Sequence, residues 1–166
     1  MAVHDKFVTS HQIEVVHVPK DITGSAQAGD YISLKEAAGI VFVITQGAWA
    51  GGTPAVTISQ ATDVTNSLSD AKAVSFTEVY RKTGISNTKW SRVAVTSDTF
   101  NLTTTANTVT AIEIGVDQLD RSNGFDCVQL NIATPGANAD LLSSVAILYG
   151  MRNQVDATLL PPGTTN

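Results

Sequence analysis

The sequence predicts an all-β protein, an antiparallel β-sandwich or jelly-roll-like barrel, with eight or nine short strands and extended terminal arms. Three observations lead to this prediction. Charged residues are 15% of the chain, fewer than long helices with charged outer faces need. Short runs rich in Val, Ile and Thr alternate between apolar and polar residues, which is the period of a half-buried strand. Turn signals separate these runs at intervals of about ten residues, as in sandwiches and barrels.

The chain length and the positions of these runs predict one domain with two extensions. A chain of 166 residues fits a single domain with its own core. Residues 1–11 mix polar and apolar types without a period, which indicates an N-terminal arm. Residues 12–152 are the predicted sandwich domain, and residues 153–166, which contain Pro-Pro-Gly, are a predicted extended C-terminal tail.

The first strands along the chain are indicated by β-branched and apolar runs. Residues 13–18 stop at Pro19, which cannot donate to a strand ladder, and residues 31–34 form a second, short strand. Residues 39–47 are a continuous apolar run bounded by glycines, which predicts a strand buried on both faces. Because the segment that follows is Gly-rich turn sequence, we expect this strand to form a hairpin with residues 55–60. In that second strand the expected inward residues are Val56 and Ile58, and the expected outward residues are Thr57 and Ser59.

The second half of the domain continues the same alternation. Residues 141–151 fit a strand or a helix, and we favour a strand because Ser143, Ser144 and Val145 are poor helix formers. Trp90 opens an alternating run, so we expect it in the core. The other predicted strands are residues 73–80, 90–95, 108–116 and 128–133.

Charge argues against two classes of partner. The net charge is −5, and the ten Lys and Arg residues are scattered. Phosphate backbones and anionic membranes are bound by clustered basic residues, so we expect neither nucleic acid nor a membrane as partner. The polar start Met-Ala-Val-His-Asp-Lys does not resemble a signal peptide. We therefore expect synthesis and folding in a cytoplasm.

No motif for catalysis stands out, so we expect a protein that is not an enzyme and that uses no cofactor. Cys127 is the single cysteine, and the alternation around it indicates a small buried hydrophobe. The glycines of residues 47–52 lack the Lys-Ser/Thr of a phosphate-binding loop. Asp117, Asp120 and Asp126 could hold a cation through oxygen ligands, but Asp120 with the following Asn-Gly more often shapes a turn.

Three residues are candidates for contact with a partner. Trp49 lies in the Gly-rich loop, where it either anchors an interface or caps the edge of the core. Leu159 and Leu160 precede two prolines in the tail. This segment is too apolar for a tail without a binding role. We expect this tail to act as an arm that becomes ordered on a neighbouring subunit.

Four stretches together resemble small structural proteins encoded among the head genes of tailed bacteriophages. These are residues 28–35 (AGDYISLK), residues 46–57 (QGAWAGGTPAVT), residues 117–120 with 124–128 (DQLD, GFDCV), and residues 146–152 (AILYGMR). The resemblance covers most of residues 28–152 and consists of turn and strand patterns.

The resemblance implies a head decoration, or cement, protein of the virion. Such a protein would bind the outer face of the major capsid protein shell, often as a homo-trimer, with no catalytic residues and no defined contact motif. A tail or head–tail connector subunit is an alternative, for which rings of six or twelve copies are expected instead of hundreds on the shell. A carbohydrate-binding module is a second alternative, which predicts Trp49 or Tyr80 exposed on a flat face.

Overall fold

The computed structural model describes residues 7–64, 70–84 and 89–152, which form two antiparallel β-sheets packed face to face. The predicted all-β sandwich is therefore confirmed, although the described residues form twelve strands where eight or nine were expected, because several pairings are only two or three residues long. One helical turn, α1 (Phe7–Ser10), precedes the strands. The strands are β1 (Gln12–Asp21), β2 (Gln27–Ala28), β3 (Ile32–Ser33), β4 (Gly39–Trp49), β5 (Ala55–Ala61), β6 (Lys72–Ala73), β7 (Glu78–Lys82), β8 (Ser91–Ala94), β9 (Thr99–Asn101), β10 (Thr108–Gly115), β11 (Cys127–Ile132) and β12 (Asp140–Tyr149), with 3-10 turns at Val116–Gln118 and Arg121–Asn123.

The first sheet has the strand order β1-β12-β4-β10-β7-β8. Its register aligns side chains in rows across the strands, and one such row is Val15, Val145, Val43, Ala111 and Tyr80. The strand β1 lies at an edge of the sheet and its pairing with β12 is irregular from the middle of the strand onward. Such irregularity, followed by a proline, limits further pairing along an edge.

The second sheet has the order β2-β11-β5-β6, and β3 and β9 add short pairings to β11 and β5. In β5 the inward and outward residues are those expected from the alternation. Val56 and Ile58 are fully buried, whereas Thr57 and Ser59 face outward and are half-buried. The predicted strand at the end of the domain is also confirmed, because β12 covers most of residues 141–151.

The core lies between the two sheets and draws on both. Phe42, Ile44 and Ile112 from the first sheet, with Ile58 and Leu130 from the second, have no solvent-exposed area. Large apolar side chains that leave water completely supply most of the stabilisation of a small domain. One continuous core therefore holds the two sheets together.

The predicted hairpin between residues 39–47 and 55–60 is wrong. The strand β4 pairs with β10 and β12 in the first sheet, whereas β5 belongs to the second sheet. The Gly-rich link crosses from one sheet to the other, and the buried Asp140 carboxylate holds it by accepting hydrogen bonds from the backbone N–H of Ala50 (2.7 Å) and Gly51 (3.2 Å). Gly52 adopts φ +83°, and a Cβ there would lie 2.8 Å from the Pro135 carbonyl oxygen. The glycines thus serve a tight crossing between layers.

The predicted strand at residues 73–80 is also wrong as a single element. The structure divides it into β6, in the second sheet, and β7, in the first. Val74 and Phe76, which lie between them, are buried in the core. The alternation predicted correctly which side chains are buried. A segment that crosses between the sheets gives the same alternating pattern as a strand, so the pattern does not distinguish the two.

The terminal extensions are described only in part. Residues 7–10 of the predicted N-terminal arm form α1, where the Phe7 ring stacks on His11 with centroids 4.1 Å apart. The predicted tail, residues 153–166, lies outside the described residues. The last described residue, Arg152, donates its backbone N–H to the Glu36 carbonyl oxygen at 2.8 Å.

Candidate docking face

The outer face of the first sheet is the most unusual surface of the described structure, because a row of apolar side chains crosses five of its six strands, from Val15 on β1 to Tyr80 on β7. Strand register places Ile13 beside Ile147 and Val41, and Val15 beside Val145. We call this surface the apolar face and define it by Ile13, Val15, Val41, Val43, Tyr80, Trp90, Val109, Ala111, Val145 and Ile147.

Several of these side chains are largely exposed. Ile13 and Val15 on the edge strand are 50% and 61% exposed, and Tyr80 and Trp90 at the opposite side are 39% and 48% exposed. Contiguous exposed apolar surface on a folded protein marks a site of interaction with a protein, a ligand or a membrane. We therefore treat the apolar face as the candidate functional site.

The run at residues 39–47 shows how this face differs from the expectation. It was predicted to be buried on both sides, and its inward residues Ile40, Phe42 and Ile44 are fully buried. Its outward residues Val41 and Val43 are only half-buried, because no second layer covers that side in the described residues. The prediction of burial on both faces is therefore wrong for the chain as described.

Trp90 was expected in the core and is instead on the surface. It joins Tyr80, Val41, Ala111 and Glu113 to line a shallow cleft of about 310 Å³. The Lys82 ammonium lies 5.0 Å from the centroid of the Trp90 ring, a cation–π arrangement. We call this the Tyr80–Trp90 cleft.

A polar network borders the cleft beside Tyr80. The Tyr80 hydroxyl donates to Glu78 at 2.8 Å, and Arg92 pairs with the same carboxylate. Both contacts hold the pKa of Glu78 below its usual range, the tyrosine hydrogen bond more strongly. The Tyr80 hydroxyl is thereby held in place, while the side chain stays partly exposed at the cleft.

Two further depressions open on the same side of the molecule. One, of about 380 Å³, lies between the end of β1 and Leu141, and the other, of about 400 Å³, lies between Thr45 and Lys82. All three are wide and shallow, which suits contact with a protein or polymer surface better than enclosure of a small substrate.

The structure places Trp49 at the end of β4, where it pairs with Asp140 of β12. Its ring packs against core residues, and its indole Nε1 donates to the Gly52 carbonyl oxygen at 3.2 Å. This is the geometry of a cap over the core, and contact of Trp49 with a partner stays a prediction. Leu159 and Leu160 lie outside the described residues.

The three aspartates considered for a cation do not converge. Asp120 shapes the turn instead, because its carboxylate accepts from Asn123 (2.9 Å) and Ser122 (3.0 Å) and pairs with Lys72. The Lys72 contact is the main reason that the pKa of Asp120 falls to about 2. Asp126 faces Lys35 at 3.7 Å. Within residues 7–64, 70–84 and 89–152, no group of three or more His, Cys, Asp or Glu side chains could hold a metal ion.

Two potentially reactive groups lie inside the protein. Cys127 is buried as expected, and burial raises the pKa of its thiol to about 12, so the reactive thiolate is scarce at neutral pH. His17 Nδ1 lies 2.7 Å from Ser144 Oγ, the spacing of a nucleophile and its base. Both residues are buried, and burial lowers the pKa of His17 to about 4. A substrate would have no route to this pair, which therefore serves as an internal hydrogen bond.

In sequence comparison, no protein family model matches the chain, and no curated protein gives a significant match. In the part of the chain that the structure describes, no helix has the length and apolar character needed to cross a membrane.

Proposed function

We propose that this protein is a non-catalytic structural component of a bacteriophage virion, a decoration protein that binds the outside of the capsid shell. The observation that supports the proposal best is the apolar face, whose outward apolar side chains are left uncovered in the described residues. In this proposal the major capsid protein covers that face. The location follows as the capsid surface of the virion.

Decoration needs the kind of surface that the apolar face provides. A protein present in many copies on a repeating shell gains strength from the number of contacts, so each contact can be shallow and broad. Apolar residues at the centre with Lys82, Arg92 and Glu113 at one side match the usual pattern of an apolar patch with a polar rim. We propose that the protein self-associates, as a homo-trimer, when it binds.

The test is binding to capsid shells of the phage whose head genes encode the chain. Ile13→Lys with Val15→Lys places two charges on the apolar face at exposed positions, so the fold should tolerate them. Thr99→Lys with Asn101→Lys adds the same charge to the other sheet's outer face and is the matched control. We expect the first pair to weaken binding about tenfold or more and the control to bind normally.

The outcomes separate the proposals. Equal binding by both variants would remove the apolar face from the interface. Failure of the unmodified protein to bind shells, with rings of six or twelve copies in tail fractions, would favour the tail or connector alternative. Size-exclusion chromatography with light scattering tests the trimer, and a purely monomeric mass at all concentrations would contradict it.

A carbohydrate-binding module remains a second candidate because of one observation. Tyr80 is exposed on a flat sheet face with Trp90 beside it, as that alternative required. Rings at such a cleft could stack on sugar faces while Glu113 accepts hydroxyl hydrogen bonds. Quenching of tryptophan fluorescence by a soluble glycan, together with no binding to shells, would favour this reading.

A further inference from the structure

The Tyr80–Trp90 cleft is a shallow groove with a mainly apolar lining and one carboxylate, Glu113. We propose that its occupant is the chain's own segment 158–163, Thr-Leu-Leu-Pro-Pro-Gly, docked along the groove. This goes beyond the proposed function, since it concerns the free protein and does not depend on binding to a shell.

The composition of the segment suits such a groove. Pro161 and Pro162 fix their own backbone angles, and Leu160 is restricted toward extended geometry because it precedes a proline. A polyproline-type strand therefore loses little entropy on docking, and aromatic-lined grooves are the usual receptors for it. The indole N–H of Trp90 can donate to the carbonyl groups that such a backbone leaves unpaired.

Charge is compatible with burial of this segment. Asp156 is the one charged side chain among residues 153–166, and it precedes the proposed docking segment. Leu159 to Pro162 would bring no charge into the groove, so its burial carries no desolvation cost for an ion. Lys82 and Glu113 can stay at the rim in water.

The distance along the sheet is short enough for the chain to reach its own cleft. Tyr149 and Gly115 both pair with Gly39, and Tyr80 pairs with Ala111 on β10. Tyr149 and Tyr80 are thus three strand spacings and four residues apart, a diagonal of about 20 Å. Residues 153–161 in an extended polyproline conformation span about 28 Å.

Because the tail is long enough to reach the cleft of its own chain, it competes with the same segment from a second copy. A segment tethered at Arg152 is present at its own cleft at an effective concentration in the millimolar range, as for other short linkers. The same segment from a second copy must compete at the much lower concentration of the protein itself. The chain's own tail is therefore the favoured occupant, in place of the neighbouring subunit expected from the sequence.

A spin label on the full chain tests this directly. Thr164→Cys places one reactive thiol just beyond the docking segment, and the buried Cys127 thiol stays unlabelled. The readout is the pair of indole N–H signals in an NMR spectrum, from Trp90 in the cleft and Trp49 at the other end of the sheet. We expect the oxidised label to remove most of the Trp90 signal and to leave the Trp49 signal nearly unchanged.

Two comparisons make the result decisive. Leu159→Ser with Leu160→Ser should restore the Trp90 signal, whereas Thr158→Ser, the conservative control, should not. Mixing labelled unenriched protein with unlabelled enriched protein should leave Trp90 sharp. Equal signals from both tryptophans in the labelled chain would overturn the proposal. Loss of the Trp90 signal in the mixed sample would also overturn it, because it would assign the segment to a second copy.

Discussion

The outer faces of the two sheets differ in chemistry although their inner faces share one core. On the first sheet the outward positions of β4 and β12 include Val41, Val43, Val145 and Ile147, followed by the polar pair Thr45 and Ser143. On the second sheet the outward positions of β5 and β11 are Thr57, Ser59, Gln129 and Asn131. The second set forms hydrogen bonds of its own, such as Asn131 to Ser59 at 3.2 Å and Gln129 to the Gly29 carbonyl oxygen at 2.7 Å.

This difference shows which surface is complete in the isolated chain. A polar outer face needs water and no partner, which is the usual state of an antiparallel sheet with one solvated side. An apolar outer face leaves free energy to be gained by covering it, at about 25 cal/mol for each Å² removed from water. The second sheet therefore has a polar outer face that is stable in water, and the first sheet has an apolar outer face that is suited to contact with a partner.

The largest effect should come from the core that both sheets share. We expect Ile44→Ala and Leu130→Ala each to lower the free energy of unfolding by about 2–5 kcal/mol, because each leaves a cavity. Val43→Ala, next to Ile44 on the apolar face, should cost only about 1 kcal/mol. Denaturant unfolding of the three variants provides the measurement.

In that series, Val43→Ala is the variant that tests whether the apolar face is exposed to water. If Val43→Ala proved as costly as Ile44→Ala, the apolar face would already be covered in the isolated protein. The comparison between the two outer faces would then fail, and the first explanation to examine would be cover by a second copy, or by a tail that extends beyond the Tyr80–Trp90 cleft.

Prediction from sequence succeeded where one strand's own alternation decides burial. Val56 and Ile58 were placed inward correctly, since period-two patterns record the side chain's environment directly. The outward valines of β4 were placed wrongly, because a continuous apolar run was interpreted as burial on both faces. An apolar residue on a strand indicates that its side chain is buried in the functional state of the protein. The sequence does not say whether this chain or a partner buries it.

The Tyr80–Trp90 cleft could not be predicted for a different reason. Its walls come from β4, β10 and β7 with the residue before β8, so finding it requires the strand order of the first sheet. The predicted hairpin put β5 beside β4 and gave no indication that β10 lies there. A tryptophan among glycines, such as Trp49, can be recognised as a candidate from the local sequence. The proximity of Tyr80 and Trp90 across neighbouring strands cannot.

A smaller effect is expected from the polar pair inside the sandwich. Burial lowers the pKa of His17 from 6.5 to about 4, with Lys20 lowering it further and Asp30 opposing. The unfolded chain therefore binds more protons between these values, and stability is complete above pH 6.5 and declines as the pH falls toward 4. The full shift corresponds to about 3 kcal/mol.

Denaturant unfolding at pH 7 and pH 4.5 measures this dependence. His17→Gln keeps a polar group near Ser144 but does not titrate, so most of the difference between the two pH values should disappear. His11→Gln, at a residue near the chain's start, is the control and should retain it. Persistence of the full difference in His17→Gln would assign the acid sensitivity to other groups.

The smallest change in stability, and the most direct test of the two faces, comes from exchanging their chemistry. Val15→Thr with Val145→Thr alters two residues paired on the apolar face, and Thr57→Val with Thr99→Val alters two residues paired on the polar face. All four positions are at least partly exposed, so each pair should change the free energy of unfolding by about 1 kcal/mol or less.

Binding of a dye that fluoresces on apolar surface should nevertheless separate the pairs. The threonines interrupt a continuous patch and should reduce the fluorescence, because dye binding needs contiguous apolar area. Two valines set among Ser59, Gln129 and Asn131 do not create such a patch, so fluorescence should hardly rise. An equal and opposite change from the two pairs would mean that dye binding follows the number of apolar residues. Their arrangement on the first sheet would then have no special significance, and the contrast between the faces would lose its physical basis.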